Sequence, residues 1–170
     1  MKYQKYLEIA RVGFMEATAY RFNAVMAVLT SAFFLVFYFF IWSAIAASGQ
    51  LNSPLDAILS YVVLGQVISS SVFVTTEDFI GEKVQQGTIA NELKRPISLR
   101  AQTYFFKLGQ TAFYTIARGL PIALLGYLFL GISFPSGWNL IGFLLSLVFS
   151  MNLVFALSYL VSMLIFWTKV

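Results

Sequence analysis

Hydrophobic and polar positions in this chain fall into long separate blocks. No charged residue lies between Phe22 and Leu55, between Ala57 and Thr76, or between Gly119 and Thr168. Gly49-Gln50-Leu51-Asn52-Ser53-Pro54 and Pro135-Ser136-Gly137 interrupt the apolar blocks with turn chemistry. One longer polar stretch, GEKVQQGTIANELKRPISLR, occupies 81–100. An apolar helix of ~20 residues crosses ~30 Å of hydrocarbon. The blocks therefore predict four membrane-spanning helices, at about 23–48, 57–76, 110–132 and 138–167. Lipid offers backbone polar groups no partner, so the spans must satisfy themselves as helices. The fold class is an all-α integral membrane protein.

The 1–22 segment reads differently. Tyr3, Tyr6, Leu7, Ala10, Phe14 and Ala17 follow the helical 3/4 spacing on one side. Lys5, Glu8, Arg11 and Glu16 fall on the other. An amphipathic helix of this kind lies in the membrane interface; a short helix packed on the protein's own surface is the alternative. A secretory signal is not expected. The leading polar region reaches Asn23, and the 24–47 apolar run is too long for a signal core, although Ala44-Ile45-Ala46 imitates a cleavage site. The first span is expected to be retained. The domain organisation is thus an interfacial helix, 1–22, and a transmembrane domain, 23–170, with a polar segment at 77–101.

Composition agrees. The chain is 59% hydrophobic and 11% charged, against about 25% charged in an average globular domain. It has no Cys and no His, which excludes disulfides, Cys- or His-ligated metal and histidine acid–base catalysis. The net charge of +4 is read by position, not as a nucleic-acid footprint. Lys2, Lys5, Arg11 and Arg21 precede the first span; Lys83, Lys94, Arg95, Arg100 and Lys107 lie between the second and third; Lys169 follows the fourth. The other two loops carry no Lys or Arg. Both termini and the 77–101 segment are therefore expected in the cytoplasm. Trp138 and Trp167 bracket the fourth span as interfacial anchors.

Two intramembrane residues stand out as candidates for function, Gln66 and Arg118. Gln66 lies in a small-residue span with Gly65 and Ser69-Ser70-Ser71, where close helix packing is the simpler reading and a substrate path the alternative. Gly119–Phe134 holds 16 residues, about 24 Å of helix, too short to span alone. Arg118 must therefore lie within the third span. It either snorkels toward the headgroups or serves as a functional buried charge. Pro121 frees the Ala117 carbonyl and is expected to bend the helix beside it.

Catalytic chemistry is absent from the sequence. Gly126–Ser133 has the glycine spacing of a phosphate-binding loop but no Lys, and it lies within a span. Glu77 and Asp78 are adjacent, so they diverge by about 100° on a helix and read as a solvated helix end. No catalytic, metal or cofactor-binding residue is assigned.

The polar segment is punctuated. A helix can run through Glu82–Gln86 until Gly87 breaks it. Thr88 can cap a second helix, 89–94, which Pro96 stops, and Ser98 can cap the third span. Ile89 and Leu93 share a face four residues apart as an exposed apolar pair, flanked by Lys94, Arg95 and Arg100. A plain loop held at anionic headgroups is the bland reading. A short, stiff knob suited to another protein's groove is the functional one.

Gly87-Thr88-Ile89 followed by Leu93-Lys94-Arg95-Pro96-Ile97-Ser98 resembles the G-x-I … L-x-R-P signature between the second and third spans of bacterial ABC transporter permeases of the type-2 exporter class. The resemblance implies a permease in the bacterial inner membrane that works as a homo- or heterodimer. It implies a separate ATP-binding subunit that supplies the missing Walker motifs and uses the ATP; this chain binds no cofactor. The 77–101 segment would be the coupling element, with Gly87, Ile89, Leu93, Arg95 and Pro96 docking on the ATPase. Such permeases have six spans, so this sequence reads as the N-terminal portion of one, or as a shorter relative. Two alternatives stand beside this: a non-transporting four-span scaffold or regulatory subunit, and a small channel lined by Arg118, Gln66 and Ser69–Ser71. The scarcity of polar groups in the spans favours a lipid-like or amphipathic cargo.

Overall fold

A computed structural model describes residues 4–49, 51, 53–72, 76–132 and 135–168. The charge-free blocks are helical, as lipid requires. The elements are α1 (Gln4–Ala19), α2 (Arg21–Ala47), α3 (Leu55–Val72), α4 (Glu77–Gln85), α5 (Ile89–Leu93), α6 (Leu99–Tyr114), a π-turn (Thr115–Gly119), α7 (Leu120–Leu130) and α8 (Trp138–Thr168). Four helical runs, built on α2, α3, α6–α7 and α8, are long and apolar enough to cross a bilayer. The chain is an all-α, multi-pass integral membrane protein. Large apolar side chains such as Phe33, Phe40, Phe129, Phe149 and Leu160 stand exposed along these runs. Water would penalise them; hydrocarbon does not.

The contacts fall into two units. One comprises 20–71 and 114–146. Its core joins α2, α3 and α7 through Leu35, Leu59, Val63 and Ile122, with Ile132 beyond α7. Gly126 lets α7 approach α3 closely, since a Cβ there would press into the Val63 methyls.

The other unit comprises 1–19, 72–113 and 147–170. Here α1 packs on α6, backbone against backbone. A Cβ on Gly13 would strike the Phe106 carbonyl, and one on Gly109 would strike the Ala10 carbonyl. Tyr6 packs on Phe105 at 4.8 Å between ring centroids, and Phe14 meets Phe113 edge-on at 5.6 Å. The contact stripe is narrower than the periodicity predicts. Leu7 is 69% exposed, and Gly13 and Ala17 are the buried residues of α1.

A hydroxyl cluster fixes the start of α4 against α8. The Thr76 N–H donates to Ser158 Oγ at 2.7 Å, and Thr76 Oγ1 lies 2.8 Å from both Ser158 Oγ and Ser162 Oγ. Thr76 and Ser162 are fully buried. Thr76→Val keeps the shape and the N–H bond to Ser158 but removes the two hydroxyl contacts to Ser158 and Ser162. It is expected to destabilise this contact by about 1–3 kcal/mol, read as a lower thermal midpoint in detergent, with Thr76→Ser close to wild type.

Candidate functional site

The 77–98 segment folds as two helices joined at a sharp turn. Glu77 and Asp78 occupy the first turn of α4. Their charge suits the positive end of the α4 dipole. Ile80 is fully buried, and Gly81 faces the Ile165 side chain. Phe79 stacks on Phe106 at 4.6 Å, and the Lys83 ammonium lies 4.4 Å from the Phe79 ring centroid.

Gly87 ends α4 as expected. Its φ of +69° is left-handed, where a side chain is strained and glycine is not. The Gln86 N–H reaches the Glu82 carbonyl at 2.9 Å, and the Gly87 N–H reaches that of Val84 at 3.1 Å. Thr88 does not cap α5 with its side chain. It sits in the helical region at φ −80°, ψ −10°, whereas a side-chain cap needs an extended backbone. Its hydroxyl donates backward to the Lys83 carbonyl instead, at 3.4 Å. Pro96 follows the end of α5. Ser98 does cap α6, accepting the Ala101 N–H at 3.4 Å.

The residue that organises the segment is one the sequence reading passed over. Glu92 is only 7% exposed. It pairs with Lys83 from α4 and, at 3.0 Å, with Arg95. The two short helices are thereby locked into one body. Of the five candidate docking residues, Gly87, Leu93, Arg95 and Pro96 are exposed and Ile89 is half-buried. Leu93, 61% exposed, is the apolar tip. Arg95 has a second task, since it holds Glu92 while most of its side chain faces outward. Glu92→Gln removes the shared charge and is expected to loosen the segment by about 2 kcal/mol, Arg95 being too exposed to contribute fully. Amide hydrogen exchange over 83–97 checks this; a roughly 30-fold acceleration is the expected result.

The intramembrane candidates lie in the other unit. The disruption predicted at Pro121 takes the form of a π-turn directly before it. Pro121 has no N–H to return to Ala117, and the Leu120 N–H bonds to the Thr115 carbonyl five residues back. Arg118 sits in this turn with its guanidinium 4.3 Å from the Tyr114 ring centroid. Its Nε is buried without an acceptor. Thr115 Oγ1 donates to Ser71 Oγ at 3.0 Å. Ser69, Ser70 and Ser71 satisfy their hydroxyls on carbonyls of their own helix, which suits packing better than a solvated path. Among the described residues no hydrogen bond joins Gln66 to Arg118. No cluster of metal-ligating side chains occurs among them either.

A family model described as ABC-2 family transporter protein matches residues 26–170. No curated protein and no solved structure gives a significant match.

Proposed function

Because the chain belongs to the ABC-2 transporter family, we propose that this permease is the membrane subunit of an ATP-driven exporter, docked through α4–α5 onto a separate ATP-binding subunit. The observation that carries the reading is the body made by α4, Gly87 and α5. It presents an exposed Leu93 and is stiffened from within by the Glu92 pairs. A loop held only at headgroups has no use for a buried carboxylate clamp. A lever does, because a compliant one would dissipate the partner's motion.

The Lys/Arg asymmetry supports a cytoplasmic position for this body in a bacterial inner membrane. ATP binding would close the partner subunit and displace α5. The rigid Gly87 turn would carry that displacement into α4. Phe79 against Phe106 and the Thr76–Ser158–Ser162 hydroxyls then offer two routes onward, into α6 and α8. A second permease subunit, identical or homologous, would complete the substrate path. ATP would be bound and hydrolysed by the partner, not by this chain.

Affinity purification of the permease from its native membrane tests the assignment. The expected result is a stoichiometric partner bearing a phosphate-binding loop. Recovery of the permease alone, under conditions that preserve other membrane complexes, contradicts it.

A further inference from the structure

Arg118 carries a fixed positive charge, and no carboxylate of its own unit stands beside it. It lies 12 residues before the end of α7 at Leu130, about 18 Å at helical rise and therefore within the hydrocarbon. Within 20–71 and 114–146, the residues of that unit, Asp56 is the only acid. Asp56 cannot reach it. Val63 meets Gly126 and Ser70 meets Gly119, so α3 runs antiparallel to α7 and its first turn lies at the opposite end. A buried charge in lipid is costly unless something neutralises it. Tyr114 covers one face of the guanidinium, but the Nε–H still has no acceptor.

An apolar groove lies beyond it in the same unit. The groove has a volume of about 280 Å³ and is walled by Leu35, Val36, Phe39 and Phe40 of α2 and by Leu125 and Phe129 of α7. Leu125 and Phe129 follow Arg118 by seven and 11 positions, two and three helical turns, so they continue its side of the helix. Helix α2 packs against both the π-turn and α7. The Arg118 backbone thus lies about 10 Å along the axis from that of Leu125, the nearer α7 wall of the groove, and the guanidinium reaches back one turn over Tyr114, so head and tail would lie about 16 Å apart, within the length of one alkyl chain. π-turns also recur at functional sites, where the extra residue re-aims a side chain.

The geometry points to a binding site for an anionic amphiphile, with its phosphate or carboxylate head at Arg118 and its alkyl tail in the α2–α7 groove. A neutral lipid would leave the guanidinium unpaired, and an inorganic anion would leave the groove empty. The identification of this ligand as cargo rests on the exporter reading above; the site itself does not.

Native mass spectrometry of the detergent-purified chain, without any ATP-binding subunit, tests the site. Its probes are phosphatidylglycerol, diacylglycerol with the same chains, and inorganic phosphate. Wild type is expected to retain phosphatidylglycerol at least tenfold over diacylglycerol and to bind no inorganic phosphate. Arg118→Gln should abolish that preference, and Arg118→Lys should keep part of it. Leu125→Trp, which fills the groove, should weaken both lipids by about tenfold. If Arg118→Gln keeps the preference, the head does not sit at Arg118 and the proposal is overturned. If Leu125→Trp changes neither lipid, the tail assignment is overturned. A chase with dodecyl phosphate identifies the source. Ready displacement of phosphatidylglycerol marks an exchangeable cargo site, and retention marks a resident lipid; either supports the site. Loss of ATPase docking in Leu93→Asp should leave lipid retention unchanged, so the two proposals fail separately.

Discussion

Leu93→Asp is expected to release the ATP-binding subunit from the permease. Leu93 is the apolar tip of α5 and 61% exposed, so the change removes nothing from the protein's own core. In a complex the side chain would be desolvated in the partner's groove, and a carboxylate placed there would be buried unpaired. Truncating a central apolar anchor costs about 2–4 kcal/mol, and the added charge raises this. Recovery of the partner per permease should fall by roughly 100-fold or more, with the permease's thermal midpoint unchanged. Leu93→Met should keep most of the association. Unchanged recovery in Leu93→Asp would remove α5 from the interface.

Gly109→Leu should detach α1 from α6. A Cβ at Gly109 would strike the Ala10 carbonyl and approach the Phe14 nitrogen; one at Gly13 would strike the Phe106 carbonyl. These neighbours are helix backbone, which cannot rotate away. At Gly81 the neighbour is the flexible end of Ile165 at 3.3 Å, so Gly81→Ala should be mild. Overpacking a close contact costs about 1–3 kcal/mol where side chains can yield, and more where they cannot. Ala17→Cys reports the outcome, because Ala17 is 1% exposed and the protein has no cysteine of its own. Maleimide should label it slowly in the parent and at least tenfold faster with Gly109→Leu. Equal protection in both would mean that α1 is held elsewhere.

The first, second and fourth spans are legible in the sequence because charge is nearly forbidden in hydrocarbon, so its absence over long blocks marks them; the third, which holds Arg118, is placed by the length a span needs. Gly87 and Pro96 are legible for a similar reason, since each restricts the backbone whatever surrounds it. Glu92 is not legible as a clamp. A carboxylate in a charged stretch is normally solvated, and its pairing with Lys83 depends on a turn that folds residues nine apart onto each other. The one available signal is the count: Glu92 is the last acid in the chain and lies among basic residues. The α1–α6 contact is legible only in part: a helix packed on the protein's own surface is one of the two readings of the stripe, but a periodicity reading gives Gly13 no weight. Ala10, Gly13 and Ala17 carry the same 3/4 spacing as small residues, and those let backbones touch. Pro121 announced a disruption, but whether it becomes a kink or a π-turn depends on neighbours in α2 and α3. The Thr76–Ser158–Ser162 cluster joins residues more than 80 apart, beyond any local pattern.

The central claim is that α5 touches an ATP-binding subunit, and Asn91 tests it most directly. Asn91 is exposed in the middle of α5, and the absence of native cysteines allows a single Asn91→Cys to carry a photo-crosslinker. Illumination of native membranes should capture a protein with a phosphate-binding loop, in a yield that changes when ATP is added. Efficient labelling that captures only lipid, or a protein without such a loop, would contradict the account and return 77–101 to a headgroup-bound loop.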